Sequence, residues 1–127
     1  DEWINEKIKE LNRNQTRSQA LVETAYEIAK MDGKSWNYLI SHLKVKMLRN
    51  DSAKFFYNYC NYVVRLENNQ IKSLLSYRVN ESIDLLSYNM REMEVYEMAA
   101  YYGVLKAYSE RDFKAKTLLN GYQRLLG

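Results

Sequence analysis

An all-α domain is predicted by three features of this chain. It has no proline in 127 residues, only four glycines, and apolar residues that recur at helical spacing from one end to the other. Proline and glycine are the strongest helix breakers, so their scarcity leaves helices bounded mainly by capping side chains and polar runs. The length suits a single domain over residues 1–127, and a chain of this size can bury roughly two thirds of its unfolded surface without disulfides or a structural metal. The expected architecture is a compact bundle of five to six helices.

Taken in order, the first helix follows Asp1 as N-cap and carries Ile4, Ile8 and Leu11 beside Trp3, ending in the polar run from Asn12 to Gln15. Thr16 or Ser18 caps a second helix whose inward face is Leu21, Ala25 and Ile28, and Asp32-Gly33 stops it. Ser35 opens a third, with Trp36, Leu39, Ile40, Leu43 and Met47 apolar and His42, Lys46 and Arg49 forming a basic stripe on another face. The run Leu43 to Met47 also alternates with period two, which leaves a short strand as the alternative there. After a break and cap at Asn50-Asp51, a fourth helix buries Phe55, Phe56, Tyr59, Val63 and Leu66, and its opposite face reads Lys54, Asn58, Asn61, Arg65.

Asn68-Asn69-Gln70 is expected as a loop, followed by a short helix with Ile71, Leu74, Leu75 and Val79. Asn80 is expected to cap a long sixth helix in which Ile83, Leu86, Met90 and Met93 align. Beyond Met93 that stripe meets Glu97, so the apolar face is expected to shift to Val95, Met98, Tyr102 and Leu105 rather than bury an unpaired carboxylate. Ser109-Glu110-Arg111-Asp112 resembles a capping box and opens a last helix with Phe113, Leu118, Leu119, Tyr122 and Leu125 inward.

The composition argues against catalysis. One His and one Cys cannot build a thiol–imidazole pair unless His42 meets Cys60, and Cys60 sits among aromatic helix positions where a free thiol usually acts as a small hydrophobe. Glu92, Glu94 and Glu97 invite comparison with carboxylate-bridged metal bundles, but those sites need Glu-x-x-His pairs that a single His cannot supply. There is no phosphate-cradling glycine loop. The reading is a non-enzyme with no cofactor, no metal and no small-molecule substrate. A lone Cys and the lack of any ~20-residue apolar stretch point to a cytoplasmic protein with no membrane partner.

Net charge is only +3, yet it is unevenly placed. Between Gly33 and Leu66 the bases Lys34, Lys44, Lys46, Arg49, Lys54 and Arg65 face a single acid, Asp51, whereas the next stretch is acidic. His42, Lys44, Lys46, Arg49, Lys54, Asn58, Asn61 and Arg65 therefore form the candidate nucleic-acid-binding set, suited to phosphate contact, with Tyr57 close enough to stack. The competing reading of such stripes is a solvated helix face over an aromatic core. A helix-turn-helix is a further alternative, with Ala99, Gly103 and Val104 as first-helix Ala, turn Gly and following apolar residue, and Lys106, Arg111, Lys114 and Lys116 beyond.

Three segments carry a resemblance. Thr16-Arg17-Ser18-Gln19 opens a helix, Leu43-Lys44-Val45-Lys46 lies near the end of the next, and Tyr101-Tyr102-Gly103-Val104-Leu105-Lys106-Ala107-Tyr108 comes late. In that order they resemble the small helical subunit of type III CRISPR effector complexes, with its T-x-S-Q helix start, L-K-V-K/R run and late Y-x-x-A-L-V-A-Y helix. The chain departs from that pattern in having Arg49-Asn50-Asp51 where the family has an A-G-R turn, and in continuing past Ser109. The resemblance implies a non-catalytic antiviral-defence subunit that stacks with copies of itself and other protein subunits along a guide–target duplex, binding RNA backbone through basic helix faces. The alternative from a different class is a protein-binding regulator, inhibitor or immunity-type protein of a mobile element that acts through an aromatic helix face.

Overall fold

The computed structural model describes residues 17–30 and 51–126, and every regular element in them is helical. The expected helices over residues 1–11 and 35–49, the strand alternative at Leu43 to Met47, and the caps at Asp1 and Thr16 lie outside the described residues. Five helical rods remain: α1 (Arg17–Lys30); a rod made of α2 (Asp51–Leu66), a π-helical turn (Glu67–Ile71) and α3 (Lys72–Ser76); α4 (Val79–Met90); α5 (Val95–Ser109); and α6 (Phe113–Leu126).

Helix α5 is the centre of the bundle. Its fifteen residues hold only two charged side chains, Glu97 and Lys106, and Ala99, Ala100, Tyr101, Gly103, Val104, Leu105 and Ala107 are all buried. A helix apolar on every side is stable only when neighbours cover it all round. Here α1, α2, the π-turn and α6 do so, and α4 lies against α6. The expected α1 face is confirmed, with Leu21, Ala25 and Ile28 in the core, and so is the α2 face of Phe56, Tyr59, Val63 and Leu66, with Phe55 half-buried against it. Tyrosine hydroxyls stitch the rods together where the rings are buried. Tyr59 donates to the Leu21 carbonyl at 2.8 Å and Tyr122 to the Met98 carbonyl at 2.8 Å, so neither ring leaves a polar atom stranded in the core.

Four boundaries differ from expectation. Asn68-Asn69-Gln70 is no loop, because the chain stays helical through the π-turn from Asp51 to Ser76. Burial of Leu66, Ile71 and Leu74 on one side outweighs the weak helix preference of the asparagines, and the extra residue of the π-turn is what keeps those three apolar positions inward. The rod ends at Tyr77, whose backbone is extended, and its last carbonyls find partners in side chains: Leu74 accepts from the buried Ser82 hydroxyl and Leu75 from the Lys114 ammonium at 2.8 Å. Asn80 does not cap α4, which begins one residue earlier at Val79 with Arg78 at the N-cap.

The long sixth helix is in fact two. Residues 91–94 form a break, and Glu94 takes extended geometry as the N-cap of α5 while its own backbone N–H donates to Glu97 Oε1 at 3.1 Å. The half-buried Glu97 carboxylate also accepts from the Tyr62 hydroxyl at 3.5 Å. The clash between the apolar stripe and Glu97 is thus resolved by a break that lets Glu97 act as a capping group. Val95, expected inward, is 61% exposed at the start of the new helix.

At the last boundary the cap is Asp112 rather than Ser109. Asp112 Oδ1 accepts from the backbone N–H groups of Lys114 at 2.8 Å and Ala115 at 3.3 Å, while the Ser109 hydroxyl turns back to the Lys106 carbonyl. Phe113, expected in the core, is therefore the first residue of α6 and is 84% exposed; Leu125, near the other end, is 39% exposed. Replacing Asp112 with Ala removes the acceptor for two orphan donors and should lower stability by about 0.5–2 kcal/mol, with Asn or Ser restoring most of it. Urea denaturation of the three variants measures this, and an unchanged midpoint for Asp112→Ala would assign the start of α6 to packing alone.

Candidate nucleic-acid interface

Burial of one α2 face forces the opposite face outward. With Phe56, Tyr59, Cys60, Val63 and Leu66 inside, Lys54, Asn58 and Arg65 are exposed and Asn61 is half-exposed. Lys54 and Arg65 have no ion-pair partner among the described residues. Because the rod runs on through the π-turn, the polar stripe is longer than the sequence suggested. Asn68 and Lys72 extend it, Lys72 Nζ donating to Asn68 Oδ1 at 3.1 Å and Asn68 Nδ2 to the Val64 carbonyl at 3.0 Å. These hydrogen bonds hold the amide and the ammonium on the rod surface. Expecting a loop hid Lys72, whose spacing from Arg65 becomes meaningful only when the helix is continuous.

From residue 52 to residue 76 the one carboxylate is Glu67, and it is already engaged. Glu67 is half-buried and accepts from the Tyr108 hydroxyl at 2.7 Å; Arg111 lies over the Tyr108 ring at 4.6 Å. Burial, then the hydrogen bond to Glu67 and its charge, pushes the Tyr108 hydroxyl up to about 12 against the opposing pull of Arg111, so it remains a donor at neutral pH. Tyr57, expected to stack on a bound strand, instead leans half-buried on the core.

His42, Lys44, Lys46 and Arg49 lie outside the described residues, so the structure brings together Lys54, Asn58, Asn61 and Arg65 from the expected set. Three other cations have structural roles. Lys114 caps α3. Lys30 and Lys106 stand 4.7 and 5.2 Å from the centroid of the Tyr26 ring, and Lys30 also donates to the Tyr26 hydroxyl at 3.0 Å and pairs with Glu110 at 3.2 Å. The hydrogen bond from the Tyr26 hydroxyl, followed by Lys30, holds the Glu110 carboxyl below its ordinary range, and the hydrogen bond to Tyr26, followed by Glu110, raises the Lys30 ammonium. This exposed cluster ties the C-terminal turn of α1 to the end of α5.

Several alternatives meet the geometry directly. Gly103 is in the middle of α5 and not in a turn, so the helix-turn-helix reading does not hold. Cys60 is fully buried and burial raises its thiol, which makes it a core hydrophobe and not a nucleophile. Glu94 and Glu97 build the α5 cap, and no cluster of His, Cys, Asp and Glu suited to a metal occurs among the described residues. The α2 aromatic face is core, as its spacing predicts: Phe56 is fully buried and Tyr59 nearly so. No described helix is long and apolar enough to cross a membrane. In comparisons with protein-family models, with curated proteins and with solved structures, nothing matches this chain.

Proposed function

We propose that the chain is a non-catalytic helical subunit of a larger RNA-containing assembly, and that it lays the outer face of the α2–α3 rod along the RNA backbone. The observation that carries this reading is the stripe itself. Lys54, Arg65 and Lys72 rise from one continuous rod, neutral amides fill the positions between them, and Glu67, the one carboxylate from residue 52 to residue 76, is tied to Tyr108. Lys54 and Arg65 are about 16 Å apart along the axis and Arg65 and Lys72 about 10 Å, a spacing suited to touching a strand at intervals. Such contacts position a protein on RNA without reading its bases. The resemblance to the small subunit of type III CRISPR complexes supports the same assignment. Its late segment, Tyr101 to Tyr108, falls on the central helix α5, so that likeness speaks for a similar core, while the outer stripe supplies the argument for RNA.

The test is a titration of labelled single-stranded RNA at several salt concentrations, with the triple variant Lys54→Ala, Arg65→Ala, Lys72→Ala beside the wild type. Loss of three phosphate contacts should flatten the slope of log affinity against log salt by about 2 and weaken binding alike for all base sequences. All three side chains are solvent-facing, so the thermal midpoint should not move. Unchanged RNA affinity and slope in the triple variant would reject this face, and failure of every RNA to bind the wild type would favour the protein-partner alternative.

A further inference from the structure

Beside the cationic row of the rod runs a second row. Asn69 and Ser73 each follow a stripe residue, Asn68 and Lys72, and so face about one residue's turn further round the helix. With Gln70 and with Asn89 of α4 they bring three side-chain amides and a hydroxyl to a cleft of about 440 Å³ between the π-turn, α3 and α4. Leu74, Leu85 and Tyr77 give it apolar walls, and Tyr77 and Leu85 keep more than two fifths of their surface exposed there. No charged side chain among the described residues lines it.

Its remaining lining residue is the unusual one. Tyr101 is 5% exposed, its ring is tilted against Tyr122, and its hydroxyl has no hydrogen-bond partner among the described residues. The hydroxyls of Tyr59, Tyr108 and Tyr122 all donate to protein oxygens. A buried hydroxyl without a partner is unfavourable, and one that lines a cleft can be satisfied by whatever enters it. The π-turn, whose Asn69 and Gln70 line this cleft, is a kind of helix irregularity often found where ligands bind.

Resting on the backbone reading above, we propose that this cleft receives one base of the bound RNA strand, stacked on Tyr77 and hydrogen-bonded along its edge by the amides of Asn69, Gln70 and Asn89 and the hydroxyl of Tyr101. Amides offer a donor and an acceptor each, which matches the mixed edge of a nucleobase, and an exposed tyrosine ring supplies the stacking face. The uncharged lining suits a neutral planar ring. The phosphates belong to the row of Lys54, Arg65 and Lys72 alongside, so a strand on that row need only turn one base inward.

Two measurements test the cleft separately from the stripe. The first titrates the protein with the four neutral ribonucleosides and follows side-chain amide signals by NMR. At least one nucleoside should shift Asn69, Gln70 and Asn89, and an absence of shifts for all four would overturn the proposal. The second compares a single-stranded RNA with the same strand made abasic. The abasic strand carries the same phosphates but should bind about tenfold more weakly, and Tyr101→Phe together with Asn69→Ala should remove that difference while leaving the salt slope intact. Equal affinity for the two strands overturns the base site and leaves the backbone reading standing. Nucleoside shifts in a protein that binds no RNA support the cleft and reject the backbone reading.

Discussion

Replacing Phe56 with Ala should destabilise the protein by about 3–5 kcal/mol, the range for emptying a fully enclosed aromatic site. Phe56 is one of the largest side chains with no exposure, on the α2 face that also buries Tyr59, Cys60 and Val63. Removing its ring forfeits both the transfer of that apolar surface from water and the contacts of the residues around it. A domain with the usual margin of 5–15 kcal/mol would retain only part of its stability, and the thermal midpoint would drop by roughly 10–20 °C. Phe56→Leu, which keeps most of the volume, should recover much of the loss. Thermal and urea denaturation decide the matter, and a midpoint within a degree or two of wild type would show that the site collapses around the missing ring or that the ring was never enclosed.

The helical class could be read from the sequence because the evidence for it is local. Absence of proline and the 3.6-residue recurrence of apolar side chains act residue by residue, and they placed Leu21, Ala25, Ile28, Phe56, Val63, Leu118 and Tyr122 inside correctly. Boundaries failed where tertiary packing outweighed local preference. Three polar residues at 68–70 look like a loop, yet Leu66, Ile71 and Leu74 bury around them and hold the helix together. The break before α5 has a visible sign, the apolar stripe colliding with Glu97, but a Glu-x-x-Glu cap lacks the usual Ser, Thr, Asp or Asn, so the spacing alone points to a turning face. The stretch that becomes α5 has two charges in fifteen residues, which already implies that most of this helix is buried.

The candidate interface was half legible for a related reason. Lys54, Asn58, Asn61 and Arg65 follow from periodicity within one helix, and all four turn away from the core. Lys72 and the amide row behind it depend on the helix continuing through the π-turn, and Asn89 reaches the cleft only through the packing of α4. The engagement of Glu67 by Tyr108 links residues from separate helices. No spacing rule along the chain foreshadows a contact of that kind, yet it decides whether the stripe carries an unpaired negative charge.

Gly103→Ala should be nearly as damaging as loss of the Phe56 ring, although in an isolated helix the change would be favourable. Alanine is preferred over glycine in a helix interior by about 1 kcal/mol. At this position an added Cβ would stand 2.4 Å from the Val22 carbonyl oxygen, 2.7 Å from Ala25 Cβ and 2.9 Å from the Tyr26 backbone nitrogen. Two of those atoms are backbone and the third is fixed directly to it, so no rotamer change can make room. Helices α1 and α5, the most extensively packed pair among the described elements, must move apart. Overpacking of this kind typically costs 1–3 kcal/mol, and the upper end, about 3 kcal/mol net of the helix preference, is expected where backbone meets backbone. Gly121 provides the contrast. Among the described residues a Cβ there meets only Ile83, at 3.0 Å to Cδ1 and 3.2 Å to Cγ1, and that side chain can rotate. Gly121→Ala should therefore stay within about 1 kcal/mol of wild type, because the gain in helix preference offsets a small displacement. Paired urea titrations of the two variants separate these outcomes: similar midpoints for both would mean that α1 and α5 do not cross as closely as the geometry at Gly103 requires.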